Sequence, residues 1–228
     1  MPGPTSEPAP EASGAPAPKG SGAPAPAPGP EPAVPGSFGQ DTVVLDDGRT
    51  VTIRPVVAAD ADALIAMHER HSPRTVRRRF FSSMPHLPIE QARRFADVDQ
   101  VSRVALVAQA PSGELVAVAR YDCLPPGPGS AGAAAAVVAE VAVVVTDDYQ
   151  HHGLGVALLT RLVAVARHRG VDQFTADVLM DNRPMLATFR DAGLTYQTHA
   201  EGGVVHLELP LSGPVIDGDP ESAAGSPR

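Results

Sequence analysis

A short glycine-containing stretch, from Gln150 to Gly155, constrains this chain more than any other part of it. It follows the apolar run Val141 to Val145 and precedes a run, from Val156 onward, that has the pattern of a helix. Two glycines at a strand-to-helix turn let a ligand approach the backbone closely, and the first amides of the helix are unpaired donors at its positive end. The stretch therefore predicts a phosphate-binding turn.

Composition divides the 228-residue chain into three parts. Of its 25 prolines, 12 lie between Met1 and Gly36, where large apolar side chains are almost absent. Such a segment cannot bury enough surface to offset the entropy of ordering it, and the C-terminal tail has the same character. We expect disorder over residues 1–37 and 212–228, and a single domain over residues 38–211.

Charge and cysteine content narrow the classes of protein. The net charge of −8 argues against a nucleic-acid partner. The sequence has neither a run of about 18 apolar residues nor the features of a secretory signal, so we expect no membrane span and no export. The single cysteine, Cys123, leaves no internal disulfide framework and favours a cytoplasmic location. Cys123 itself is expected to be an inert packing residue.

Hydrophobic periodicity and turn residues predict an alternation of strands and helices. Strands are predicted at residues 42–45, 50–54, 101–110, 114–123, 134–145, 174–179, 194–199 and 204–209. Helices are predicted at residues 60–70 and 73–81, from near Pro88, from Gly155 to the C-cap Gly170, and between the N-cap Asn182 and Gly193. Residues 125–132 are expected to form a flexible loop.

This order of elements, together with its motifs, resembles the GCN5-related N-acetyltransferase (GNAT) superfamily. The motifs are Ala139-Glu140-Val141-Ala142-Val143, Asp147-Asp148-Tyr149-Gln150, Gly153-Leu154-Gly155, Arg169-Gly170-Val171, Asp181-Asn182, Met185-Leu186 and Ala192-Gly193-Leu194. The resemblance implies an α/β fold with a mixed, mostly antiparallel, splayed central sheet flanked by helices. A Rossmann fold would need a third glycine at position 158, which is Leu158.

A second set of motifs narrows the resemblance within the superfamily. Ser72-Pro73-Arg74-Thr75, Arg79-Phe80-Phe81 and Leu87-Pro88 resemble the catalytic domain of bacterial protein lysine acetyltransferases that act on acyl-CoA synthetases. The resemblance implies acetyl-CoA as co-substrate, a protein lysine as acceptor, and an acyl-CoA synthetase as a candidate partner. Two alternatives stay open: an acetyltransferase for small amines, and a module that senses acetyl-CoA without turnover.

The resemblance also implies which residues bind the cofactor. Amides of the glycine turn would bind the diphosphate, and the main chain of the preceding strand would run beside the pantetheine. The residues so assigned are Val143, Val144, Val145, Gln150, His151, His152, Gly153, Leu154, Gly155, Val156 and Asn182. His152 stands where many relatives have Arg or Lys. No metal site is expected, because the two adjacent histidines have no third ligand close in sequence.

Glu140 is the candidate catalytic base. It is the only charged residue between Ala131 and Thr146, within a run of alanines and valines. A carboxylate with apolar neighbours is expected to be partly desolvated, which raises its pKa and makes it a better proton acceptor near neutral pH. The family's catalytic glutamate lies at the matching point of the same strand. The alternative is a strand residue that points to solvent.

Two further positions depart from the family or leave its chemistry open. Many relatives have a tyrosine that protonates the leaving thiolate where this chain has Phe189. A basic cluster, Arg74, Arg77, Arg78 and Arg79, is predicted to lie on the second helix. It is interpreted as a solvated charged face, with docking of an acidic protein or contact with the cofactor's 3′-phosphate as alternatives.

Overall fold

Eight strands form one sheet in the computed structural model, which describes residues 39–126 and 136–211. The strands are β1 (Asp41–Val44), β2 (Thr50–Pro55), β3 (Arg103–Gln109), β4 (Leu115–Cys123), β5 (Val138–Val145), β6 (Gln173–Leu179), β7 (Gln197–Glu201) and β8 (Val204–Pro210). The helices are α1 (Ala61–Glu69), α2 (Pro73–Phe80), α3 (Ile89–Ala96), α4 (Leu154–His168) and α5 (Arg183–Asp191).

The strand order is β1-β2-β3-β4-β5-β6-β8-β7, and β5 with β6 is the one parallel pair in the described sheet. Strand β5 pairs with β4 from Ala139 to Val145, but with β6 only from Val138 to Glu140. Beyond Glu140 the two strands diverge. The predicted mixed, mostly antiparallel and splayed sheet is therefore confirmed.

Helices cover both faces of the sheet. Leu158, Leu159 and Leu162 of α4 are fully buried in the larger hydrophobic cluster, together with residues from most of the strands. Leu64 of α1 and Ala92 of α3 belong to a second cluster on the other face of the central strands. Burial of these apolar side chains is the main favourable contribution to folding.

The predicted elements differ from the observed ones mainly at their ends. Strand β7 begins at Gln197 rather than at residue 194, because Leu194 is buried in the core and its amide bonds to the Phe189 carbonyl at 3.1 Å, which closes α5. Strand β5 begins at Val138, later than predicted. Gly170 and Gly193 have φ of +76° and +74° and end their helices as expected.

Several predictions concern residues outside the described ranges. These are the disorder of residues 1–37 and 212–228 and most of the loop at residues 125–132, so the domain boundaries stay predictions. Within residues 39–126 and 136–211, no helix is long and apolar enough to cross a membrane.

Candidate active site

A cleft of about 590 Å³ opens where β5 and β6 diverge. The end of β5, the turn after it, the start of α4 and helix α5 form most of its walls, and α2 contributes a few residues. The lining residues are Asp46, Thr75, Arg78, Arg79, Val143, Val144, Val145, Tyr149, Gln150, His151, Gly153, Leu154, Gly155, Val156, Ala157, Asn182, Pro184, Met185, Ala187, Thr188 and Asp191.

The glycine turn places the start of α4 in this cleft. Gly153 precedes the helix with φ of +80°, a left-handed conformation that favours glycine. The first intrahelical bond runs from the Ala157 amide to the Gly153 carbonyl at 2.9 Å, which leaves the earlier amides without helical partners. No side chain of the described residues caps this end. The turn is therefore a suitable binding site for a diphosphate.

Both glycines also keep space free around the turn. A Cβ atom on Gly155 would lie 3.4 Å from Cγ2 of Thr188 and 3.9 Å from Cγ2 of Val145, so α4 passes close to α5 and β5 here. A Cβ atom on Gly153 would lie 3.3 Å from a carboxylate oxygen of Asp46 in the β1–β2 turn. The β1–β2 hairpin thus packs against the glycine turn, and Gly153 follows Asp46 by 107 positions in the sequence.

Side-chain hydrogen bonds tie the turn to helix α2. Gln150 donates from Nε2 to the Val145 carbonyl at 2.9 Å and to Oγ1 of Thr75 at 3.2 Å. The Asp147 carboxylate accepts from the amide and hydroxyl of Ser72, at 2.9 and 2.7 Å, and from the Thr75 hydroxyl at 2.9 Å. Burial opposes the ionised form of Asp147, but these hydrogen bonds hold its pKa below the usual value.

Glu140 lies at the point where the β5–β6 pairing ends, opposite Asp122 of β4 and Thr175 of β6. The expectation that it is desolvated is wrong, because its side chain is exposed. The apolar neighbours in sequence alternate across the strand, and Ala139 and Val141 bury the other face. Glu140 does not line the cleft, but its charge acts on Arg79, which does.

Comparisons with known proteins identify the family of this chain. The model of the acetyltransferase (GNAT) family matches residues 64–194, more than half of the chain. The chain belongs to this family.

Two curated relatives of this chain are named acetyltransferases. Acetyltransferase PA5475 of Pseudomonas aeruginosa is 33% identical over 145 residues, 62% of this chain and 73% of that protein. Acetyltransferase Pat of Mycolicibacterium smegmatis is 30% identical over 177 residues, 77% of this chain. The chain covers only 49% of the second relative, about half its length. This GNAT protein is therefore an N-acetyltransferase.

Two solved structures similar to this chain agree with its assignment to the GNAT family. The GNAT domain of S. lividans PAT is 41% identical with a TM-score of 0.68, and the match covers 75% of this chain and 96% of that one. The structure of yncA from Salmonella typhimurium with its cofactor acetyl-CoA is 20% identical with a TM-score of 0.56, over 76% and 96% of the two chains. At that identity the second match shows the fold alone.

Of the residues predicted to bind the cofactor, this GNAT fold brings all but His152 to the cleft. His152 lies beside the β1–β2 turn, with Nδ1 3.5 Å from Oδ2 of Asp47. Its main-chain oxygen accepts from the Asp46 amide at 3.3 Å. His152 is thus placed to hold the hairpin on the turn rather than to contact a ligand in the cleft.

Asn182 lines the cleft at the start of α5, but its predicted role as a side-chain cap is wrong. It has φ of −91° and ψ of 54°, and its side chain makes no capping hydrogen bond. The Met185 amide bonds instead to the Asn182 carbonyl at 3.1 Å. The side chain of Asn182 is therefore not needed to complete the helix.

The arginine cluster on α2 divides into two pairs. Arg74 and Arg77 are exposed, as expected for a solvated face. Arg78 and Arg79 are half-buried and line the cleft, so the solvated interpretation is wrong for them. Arg78 donates from Nη2 to the Asp181 carbonyl at 2.9 Å. Burial, together with the charge of Arg120, lowers the pKa of Arg79 to about 10, which leaves it protonated at neutral pH.

Phe189, which the family resemblance aligns with a tyrosine, is 1% exposed and lies in the hydrophobic core, outside the cleft. Its neighbour Thr188 does line the cleft, and its hydroxyl donates to the Pro184 carbonyl at 3.0 Å. Tyr149 also lines the cleft, under the Arg49 guanidinium at 3.9 Å from the ring centre. Sequence reasoning missed Thr75 and Asp46, because only the fold brings α2 and the β1–β2 turn to the glycine turn. It also missed Tyr149, although this residue precedes Gln150 directly in the sequence.

Cys123 ends β4 and is half-buried, and burial raises the pKa of its thiol. This agrees with a packing role, since a raised pKa makes a thiol less reactive. The ranges 39–126 and 136–211 contain no group of three or more His, Cys, Asp and Glu side chains arranged to hold a metal ion. That the protein needs no metal stays a prediction.

Proposed function

We propose that this N-acetyltransferase moves the acetyl group of acetyl-CoA to a lysine side chain on a protein by direct attack of the amine. The observation that carries the proposal is the cleft between the diverging strands, with the unpaired amides of α4 in its wall and Glu140 at the point of divergence. The likeness to the relatives named Pat and PAT supports a protein acceptor. An acyl-CoA synthetase is the first acceptor protein to test.

The donor substrate fits the residues that are present. The start of α4 offers amides to a diphosphate, and the edge of β5 that β6 leaves free at Val143 to Val145 offers main-chain groups to the pantetheine. One of these groups is already used, because Gln150 donates to the Val145 carbonyl. We therefore assign the Gln150 side chain to shaping the turn. Its main-chain amide donates to the Asp147 carbonyl at 3.4 Å, so we assign the diphosphate to the amides at the start of α4.

The acceptor needs a base. A lysine side chain has a pKa near 10.4, so freeing its lone pair at about pH 7 costs roughly 4 to 5 kcal/mol. Glu140 is exposed, so an ammonium group can reach it from solvent. We assign it the ammonium proton, taken directly or through a water. The free amine nitrogen then bonds to the carbonyl carbon, the carbon–sulfur bond breaks, and the leaving thiolate takes the remaining amine proton.

The proposal is tested by following release of free thiol from acetyl-CoA with lysine-containing proteins, an acyl-CoA synthetase among them, and with small amines. Glu140→Gln is expected to lower kcat by roughly 10²- to 10⁴-fold, the usual contribution of a general base, while the Kd for acetyl-CoA stays the same. Glu208→Gln is the matched control, because Glu208 is an exposed carboxylate on the same sheet face, separated from Glu140 by Thr175.

Each outcome decides between the alternatives. If Glu140→Gln is as fast as the wild type, the assignment of the base is wrong. If small amines react and proteins do not, the acceptor class is wrong. Tight binding of acetyl-CoA with no turnover for any acceptor supports a sensing module instead.

A further inference from the structure

A small cavity of about 40 Å³ lies beside the cleft, on the α1–α3 side of the sheet. Arg79 and Val144 line both spaces, so the cavity adjoins the cleft at the end of α2. The other walls are mostly apolar and include Leu64, Phe95 and Val118. The cavity is larger than the roughly 10–15 Å³ that a single water requires, so it can take a small group such as a carboxylate.

One guanidinium in the wall of this cavity is incompletely paired. Arg120 is 7% exposed, and its Nε and Nη2 donate to the two oxygens of Asp122 at 2.9 and 2.8 Å. Its third nitrogen, Nη1, is buried and has no partner among the described residues, and neither has the buried Nε2 of His71 in the same wall. Buried donors left unpaired are uncommon and call for a ligand or another function.

The charges around the cavity do not balance. Two guanidinium groups line the cavity, those of Arg79 and Arg120, and the Asp122 carboxylate that pairs with Arg120 also pairs with Arg103 outside the cavity wall. The exposed Glu140 is a second carboxylate whose charge acts on Arg79. Arg79 is half-buried and makes no ion pair within the part of the chain that the structure describes. Burial of like charges side by side is unfavourable unless an anion compensates for it. The guanidinium groups of Arg79 and Arg120 in the cavity wall are therefore complementary to a negatively charged group.

We propose that this cavity receives the end of the transferred acyl group, and that the unpaired donors of Arg79 and Arg120 select acyl groups ending in a carboxylate, such as malonyl or succinyl. The inference rests on the proposed function, because it places the thioester in the adjoining cleft. The transfer itself is unchanged: the same carbon–nitrogen bond forms, the same carbon–sulfur bond breaks, and the distal carboxylate does not react.

The unpaired Nη1 separates this proposal from a pocket for apolar acyl chains. A butyryl chain would fill the apolar walls but would leave the buried donor of Arg120 without a partner. A site built to form a hydrogen bond rejects an analogue that lacks the partner more strongly than an apolar pocket rejects a missing methylene. A carboxylate would accept from the guanidinium with a charge-assisted bond, which is stronger than a neutral one.

The test measures Kd by calorimetry on the full chain for CoA and for acetyl-, butyryl-, malonyl- and succinyl-CoA. Malonyl- or succinyl-CoA is expected to bind at least roughly tenfold more tightly than butyryl-CoA. Equal affinities, or a preference for butyryl-CoA, overturn the inference and leave the proposed function in place. If CoA and acetyl-CoA themselves fail to bind, the proposed function fails instead.

Two variants test whether Arg120 causes the preference for acyl groups that end in a carboxylate. Arg120→Gln is expected to remove the preference for the carboxylated chains and to leave CoA binding unchanged. Arg103→Gln is the matched control, because Arg103 pairs with the same Asp122 at 3.0 Å but does not line the cavity. It is expected to keep the preference, and loss of the preference in both variants would contradict the proposal.

A cavity-filling variant covers the case in which Arg120→Gln does not fold. Val118→Leu adds one methylene to the cavity wall and is outside the cleft lining. It is expected to weaken binding of succinyl-CoA and to leave that of acetyl-CoA unchanged. Unchanged binding of both thioesters would show that the acyl chain does not enter the cavity.

Discussion

The two halves of strand β5 have similar sequences and different tasks. From Val138 to Glu140 the strand has a partner on each side, and Ala139 is fully buried. From Val143 to Val145 it keeps only β4 as partner among the described strands, and the side chains are half-buried. The first half, residues 138–140, is the closed half and connects β4 with β6 in the sheet. The second half, residues 143–145, is the open half and presents a free edge to the cleft.

This difference shows that a site can be formed by leaving a sheet incomplete. Apart from Glu140, both halves consist of valine and alanine, and the valines suit any strand. The unpaired main-chain groups of the open half need a partner, and an extended ligand can supply one as an added strand would. Changes at the closed half should therefore affect stability, and changes at the open half should affect ligand binding.

The largest expected effect is a loss of folding stability when the closed half loses a packing partner. Phe174 of β6 lies opposite Ala139, is fully buried, and has its ring centre 5.5 Å from that of Tyr121. Phe174→Ala is expected to lower the free energy of unfolding by about 3–5 kcal/mol, through lost burial and a cavity, as measured by urea denaturation. Acetyl-CoA affinity of the folded fraction should change little.

The control for this variant is Phe81→Ala, since Phe81 is 42% exposed. Its cost should stay within about 0.5 kcal/mol. Equal losses in the two variants would contradict the assignment of stability to the closed half.

The second prediction concerns the turn at the open half. Gly153→Ala places a Cβ on a residue with φ of +80° and against Asp46. We expect a cost of about 1–2 kcal/mol in stability and, in addition, weaker binding of acetyl-CoA, because the donor amides of the α4 start would shift. Thermal unfolding and calorimetric titration measure the two effects.

Gly170→Ala is the matched control, because Gly170 has φ of +76° at the other end of α4 and open space around it. It should lose similar stability and keep its affinity for acetyl-CoA. If both variants lose affinity equally, backbone strain alone accounts for the effect and the turn is not the binding site.

The smallest expected effect is at Asp147, which ties the open half to α2. Asp147→Asn should lower stability by about 1 kcal/mol at neutral pH, because charge-assisted hydrogen bonds from Ser72 and Thr75 weaken. The carboxyl pKa is lowered in the folded protein, so the contribution is complete above its usual value of 3.8 and is lost as the pH falls through the lowered value.

Urea denaturation at about pH 7 and about pH 3 checks this sign, since the difference between variant and wild type should shrink in acid. Asp148→Asn, at the exposed neighbouring residue, should change stability at about pH 7 by no more than about 0.5 kcal/mol. A difference that grows in acid would contradict the prediction.

Local sequence patterns predicted the strands and helices well, but they predicted poorly which side chains are buried or exposed. The run from Val141 through Gly155 signals a strand, a turn and a helix by short-range rules, and all three are present. The exposure of Glu140 was predicted wrongly, because neighbours in sequence lie on the opposite face of a strand. The half-buried Arg78 and Arg79 were missed, because a basic run gives no sign of which side meets the cleft.

The sequence alone determined where the glycine turn lies, which helix follows it, and that Gly153 and Gly155 keep it open, because glycine requirements and helix periodicity act over a few residues. Tertiary structure decided where β6 leaves β5, and it places Arg79 in the cleft within reach of the charge of Glu140. It also decided that His152 is held at Asp47, outside the cleft. These contacts join residues far apart in the chain, and only the packing of the whole sheet with its helices fixes them.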